Sequence, residues 1–155
     1  MSSTGSTNPD RVIAACEKEW DSNKSDCSKF VRAVGADLGI HLTGLANDIV
    51  RYVRANWRAA ADGPAAANFA ANGMFVIGGL EHEPHGHVVV VVPGPLNRNK
   101  YPTAYWGQLG GVGKKCATIN WAWAAGDRDR VEYRYFDFGA PGTQNPGSVQ
   151  AKFIA

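Results

Sequence analysis

Residues 74–94 read MFVIGGLEHEPHGHVVVVVPG, and the fold turns on how this stretch is read. Two runs rich in Val, Ile and Leu flank a polar turn that contains Pro84 and Gly86. β-Branched runs bounded by turn residues predict strands. The run HVVVVV, residues 87–92, is apolar without alternation. That pattern belongs to a central strand covered on both faces.

Downstream of this stretch, YPTAYWG (101–107), ATINWAWAA (117–125) and RVEYRYFDF (130–138) read as further strands. The last alternates, as a half-exposed strand does. DRDR, residues 127–130, reads as a charged hairpin turn before it.

Upstream the periodicity is helical. A helix starts around Pro9, carries Val12, Cys16 and Trp20 on one face, and ends in DSNKS (21–25). A second starts near Asp26, with Cys27, Phe30, Val31, Val34 and Leu38 on one stripe. DIVRYVRANWRAAA (48–61) repeats the pattern, with Ile49, Val50, Val53 and Trp57 inward. A fourth, alanine-rich helix begins at Gly63-Pro64. Helices first and strands after predict an α+β domain, with N-terminal helices packed on an antiparallel sheet. The expected boundaries are a flexible segment over 1–8, a domain over 9–138 and an irregular tail over 139–155.

The composition suits one globular domain. Of 155 residues, 45% are hydrophobic and 19% charged, which is not the balance of a disordered chain. The net charge is only +2, and the one basic stretch, Arg51, Arg54 and Arg58, reads as a solvated helix face rather than a nucleic-acid footprint. No run approaches the ~20 apolar residues of a membrane span. MSSTGSTNPD lacks the basic and apolar regions of a signal peptide. The expectation is a monomer made in the cytoplasm, carried elsewhere, if at all, by a route other than general secretion. Cys16, Cys27 and Cys116 form no CxxC pair, which argues against a disulfide framework and a cysteine-rich zinc site. A single Cys16–Cys116 bridge stays open.

Cys27 is the sharpest candidate for chemistry. A thiol at a helix N-terminus lies near free backbone N–H groups and the positive end of the helix dipole, which favours the reactive thiolate. The other reading is an ordinary buried cysteine. A nucleophile needs a base, normally His. His41 lies in a loop, His82 and His85 in the EHEPHG turn, and His87 opens the strand HVVVVV behind Gly86. A rigid strand aims an imidazole well, and Gly86 permits close approach. The plain reading of His87 is a strand-edge histidine with a satisfied hydrogen bond. A rival constellation joins His82, His85 and His87 with Glu83 around zinc, although a proline within so short a run gives poor tetrahedral geometry. Asp26 caps the helix or tunes the thiol. Asn47 and Asp48 cap the third helix or line a groove, and Tyr105 and Trp106 form a substrate wall or pack.

DCSKFV (26–31) followed by GHVVVV (86–91) resembles the NlpC/P60 papain-like peptidase superfamily. More closely, the chain resembles the first family of bacterial type VI secretion amidase effectors. AACEKEW (14–20), GLANDIV (44–50), GHVVVVVPGPLNRNKYP (86–102) and the DRDR turn all share in the likeness, which spans about residues 9–138. The resemblance implies a papain-like fold and an antibacterial toxin. It implies cleavage of the γ-D-glutamyl–meso-diaminopimelate bond of peptidoglycan stem peptides in the periplasm of target bacteria. It implies Cys27 as nucleophile, His87 as general base, no metal or organic cofactor, and two partners: the type VI secretion apparatus and a cognate immunity protein. The superfamily's third polar residue, which orients the histidine, has no obvious counterpart; Gln108 and Asp26 are the candidates. The family carries a cysteine in this strand where Trp106 stands, and a disulfide between the termini for which this chain has no C-terminal cysteine. The expected groove is lined by Ser28, Asn47, Gly86, Tyr105 and Trp106, from segments such as HLTGLAN, EHEPHG and YWGQ. Cleavage of the diaminopimelate–D-alanine crosslink, thiol acyl transfer, and an inactive wall-binding module stand as alternatives.

Overall fold

The computed structural model describes residues 9–139. The expected flexible segment 1–8 lies outside them, as does the expected tail apart from Gly139. Among the described residues the order is α1 (Pro9–Asn23), α2 (Cys27–Asp37), α3 (Ala46–Asn56), β1 (Arg58–Ala60), α4 (Gly63–Ala71), β2 (Phe75–Leu80), β3 (His87–Val91), β4 (Thr103–Trp106), β5 (Lys114–Thr118) and β6 (Glu132–Phe136). The six strands form one antiparallel sheet in the order β1-β6-β2-β3-β4-β5. The α+β reading with an antiparallel sheet therefore holds.

β3 lies inside the sheet, and both of its faces are covered. Val88, Val90 and Val92 pack with Phe30, Val31, Val34, Ile49 and Val53 from α2 and α3. Val89 and Val91 face the other way, among Ala66, Ala70, Trp106, Ile119, Trp123 and Tyr133. This explains the run of valines: neither face meets water, so neither position alternates to polar. The stripe Cys27, Phe30, Val31, Val34 and Leu38 is wholly buried. Burying a side chain the size of Phe30 contributes about 2–3 kcal/mol.

Four expectations need correction. The first helix runs through Asp21, Ser22 and Asn23 before it ends, three residues into the segment expected to break it. The third helix stops at Asn56, and Arg58–Ala60 becomes an edge strand registered against Tyr133–Tyr135. Alanine favours helix, but the ladder offered by β6 satisfies backbone groups and buries Ala60, and tertiary pairing overrides propensity. The strand expected over 117–125 lies earlier, at Lys114–Thr118, while Ile119–Trp121 is a 3-10 turn. DRDR is no hairpin turn: Arg128–Arg130 is a 3-10 turn in a long connection, because β6 crosses over to pair with β1 and β2 rather than with β5. α4 lies apart from the other helices. It covers the opposite sheet face, where Phe69 stacks on Tyr135 with ring centroids 3.8 Å apart.

The basic helix face is also more than solvated surface. Arg51 pairs with Asp48 and Glu81, and Arg54 grips Glu81 and, with two bonds of 2.9 and 2.7 Å, Glu132. These pairs are half-exposed and individually weak, but they tie α3 to β2 and β6. Among the described residues, no helix is long and apolar enough to cross a membrane.

Candidate active site

The N-terminus of α2 is built by Asp26. Its backbone is extended, and its carboxylate accepts the Lys29 N–H at 3.1 Å and the Ser28 hydroxyl at 2.9 Å. This is an N-cap: it satisfies an orphan donor of the first turn and fixes where the helix starts. Asp26 therefore spends its carboxylate on the cap and on Ser28, not on His87. Cys27 is the first helical residue, and its side chain is almost wholly buried.

Burial pushes the Cys27 thiol up, above its ordinary value. The backbone N–H of Val88 acts in the opposite direction, as do the N–H groups of Ser28 and Cys27 itself, while the charge of Asp26 adds to the rise. The helix terminus was expected to favour the thiolate; its N–H groups do, but desolvation outweighs them. The contact with Val88 places the sulfur against the start of β3, one residue from His87.

His87 opens β3, opposite Leu80 of β2. Its ring meets two indoles at steep angles, in T-shaped contacts: Trp123 at 5.1 Å between centroids and Trp106 at 6.5 Å. Burial pushes its pKa down to about 4, so the imidazole is neutral at neutral pH. With the thiol pushed up and the imidazole pushed down, the resting pair is neutral on both sides.

The turn before His87 is fastened to the start of α3. Asn47 Nδ2 donates to the His82 carbonyl, and the His82 N–H donates back to Asn47 Oδ1. Gly86 lies beneath this clamp: a Cβ there would sit 2.2 Å from Asn47 Oδ1 and 2.7 Å from the Leu80 carbonyl, so any side chain would force the turn away. On the other side, Gly107 lets the chain after β4 tuck under the α1–α2 junction, where a Cβ would meet the Asn23 and Asp26 carbonyls at 2.4 and 2.6 Å. The Gln108 N–H then donates to the Lys24 carbonyl, which brings Gln108 beside the start of α2.

These elements enclose an open groove of about 670 Å³. Cys27, His87, Asp26, Ser28, Asn47, Gly86 and Gln108 all line it. Leu45, Glu83, Pro84 and His85 come from the segments expected to do so, and Asp48 is there as one of its two readings had it, while Arg51, Leu109 and Ala122 are additions. Arg51 looked like solvent-facing charge, and Leu109 and Ala122 carry no sequence signal beyond their place beside turns. Leu45 and Leu109 are both more than half exposed, which gives the walls an apolar surface.

Tyr105 and Trp106 do not form a groove wall, which corrects that expectation. Each is only 1% exposed. Tyr105 lies on the α2 side of β4, donating its hydroxyl to Glu17 and accepting from the Cys116 thiol at 3.3 Å. Trp106 lies in the opposite layer, behind His87. Consecutive residues of a strand point to opposite faces, and here both faces are core. The histidine–zinc constellation does not assemble: among the described residues, no three His, Cys, Asp or Glu side chains are grouped to hold a metal ion. Cys16 and Cys116 are free thiols, the first buried and the second exposed.

No family model matches the chain. It is 37% identical over 140 residues to the peptidoglycan amidase Tse1 of Pseudomonas aeruginosa, an alignment that covers 83% of this chain and 91% of that protein. A thiol at a helix start beside a strand-borne histidine, in an open groove, and identity at this level across nearly the whole of both proteins lead to one assignment: the chain belongs to the family of the peptidoglycan amidase Tse1.

Proposed function

We propose that the protein is a peptidoglycan amidase that hydrolyses the γ-D-glutamyl–meso-diaminopimelate bond of stem peptides by cysteine catalysis on a papain-like, NlpC/P60-type scaffold. The observation that carries this reading is the meeting of Cys27, first residue of α2, and His87, first residue of β3, on one groove. The relationship to Tse1 supplies the substrate class.

The reaction follows from a neutral pair. As the Cys27 sulfur attacks the stem-peptide carbonyl carbon, its proton passes to His87, so thiolate and imidazolium form only along the reaction path. The negative carbonyl oxygen develops beside the N-terminus of α2, whose free N–H groups and dipole favour it. Collapse of the tetrahedral adduct breaks the C–N bond, and the imidazolium gives its proton to the leaving amine. His87 then takes a proton from water as that water attacks the thioester, and returns it to the sulfur. The groove is open, as an extended, crosslinked polymer requires.

The biological setting rests on the family resemblance: an antibacterial toxin delivered by a type VI secretion apparatus into the periplasm of a target cell, with an immunity protein that covers the groove. The exposed leucines on its walls suit such a cover. Mass spectrometry of muropeptides after digestion of purified peptidoglycan tests the reaction. The reading expects products ending in D-glutamate and products beginning with diaminopimelate. Cleavage between diaminopimelate and D-alanine, or amine-exchanged products, would replace the bond specificity or the hydrolysis in it.

A further inference from the structure

His87 Nε2 is buried and has no hydrogen-bond partner among the described residues. A neutral imidazole has one N–H donor and one bare nitrogen, and the partner of one nitrogen fixes the state of the other. If His87 is the base, the nitrogen toward the groove must be bare, so the buried Nε2 carries the hydrogen. Neither polar candidate for orienting the ring takes that hydrogen. Asp26 is held by Lys29 and Ser28, and Gln108 lines the groove, whereas Nε2 lies in the interior. The surface that closes around the ring is aromatic instead. Trp123 meets it at 5.1 Å and 69°, and Trp106 at 6.5 Å and 86°. Such steep angles set the edge of one ring against the face of the other, the arrangement in which an N–H meets the negative face of a π system.

We propose that Trp123 is the positioning residue for His87: the Nε2–H points into the indole face, which replaces the hydrogen-bonding side chain expected as the third member of the site. Trp106 forms the second wall. Trp123 is itself well held. It is 9% exposed, its backbone N–H donates to the Ile119 carbonyl at 3.2 Å, and Arg128 donates to the carbonyls of Trp123 and Asn120. The indole face would do two things. It fixes the ring's rotation and tautomer in the resting state, and it faces the cation when the thiol proton arrives, where attraction to the π face replaces a carboxylate. This inference rests on reading His87 as the general base.

Nitrogen-15 NMR of the His87 ring in the wild-type protein at neutral pH reads the tautomer directly. The expected result is an Nε2–H imidazole whose Hε2 is moved upfield by the indole ring current; an Nδ1–H tautomer overturns the proposal. Hydrolysis of purified peptidoglycan supplies the second arm. Trp123→Phe keeps a π face and should retain kcat within about threefold, whereas Trp123→Leu keeps apolar bulk only and should lose about tenfold in kcat with KM unchanged. Equal rates for the Phe and Leu variants overturn it. The underlying reading fails differently: a fully active His87→Ala would remove His87 as base and this role for Trp123 with it, while failure of the proposal alone leaves His87→Ala inactive.

Discussion

Asn47 and His82 exchange two hydrogen bonds, at 2.9 and 3.1 Å, between residues 35 apart in sequence. The pair locks the 81–86 turn to the start of α3, and that turn delivers His87 into the groove. Asn47→Ala should therefore lower stability by about 1–2 kcal/mol and reduce kcat, while the rate of Cys27 alkylation stays the same. Urea unfolding and iodoacetamide kinetics check both halves. A variant as stable and active as the wild type would mean the clamp does not position the turn.

Burial holds His87 near 4 against an ordinary 6.5. The unfolded chain takes up this proton as pH falls through about 6.5, but the folded chain does not until about 4. In that window the unfolded state binds more protons, so stability falls as pH falls, by about 3 kcal/mol once pH is below both values. Carboxylates such as Glu81 and Glu132, held low by Arg54, add their own acid loss. The His87 share is isolated by comparing the pH dependence of wild type with that of His87→Ala between pH 7 and 4. Parallel curves would show that His87 is not held neutral by burial.

The charge of Asp26 raises the Cys27 thiol, although Asp26 also caps its helix. Asn caps as well as Asp and carries no charge. Asp26→Asn should keep the helix and shift the midpoint of Cys27 alkylation to lower pH. Asp26→Ala should cost about 1 kcal/mol of stability through the lost cap. A midpoint that moves upward in Asp26→Asn would show that Asp26 assists the thiolate.

Tyr105 is a core residue whose hydroxyl links β4 to Glu17 of α1. Tyr105→Phe should lower the melting temperature modestly and leave peptidoglycan hydrolysis unchanged. A raised KM with an unchanged melting temperature would return Tyr105 to the groove.

Much of this architecture was legible where one face of an element is buried. Cys27, Phe30, Val31, Val34 and Leu38 mark a stripe that can only be a helix, and the unbroken valines of 88–92 mark a strand covered twice. What escaped depended on partners distant in sequence. Arg58–Ala60 is a strand because of Tyr133–Tyr135, some 75 residues later. Tyr105 and Trp106 looked like groove walls because aromatic residues serve both wall and core, and nothing local tells which. The aromatic enclosure of His87 was hidden for the same reason: Trp123 lies in a segment that reads as strand but folds as turns.

The most direct measurement is the hydrolysis of purified peptidoglycan by Cys27→Ala, with its fold verified by circular dichroism and thermal unfolding. The thiol of Cys27 is the group that forms the acyl intermediate proposed here. The expected result is a folded protein with no detectable release of stem-peptide fragments. A folded Cys27→Ala protein that cleaves at the wild-type rate would contradict cysteine catalysis in this groove.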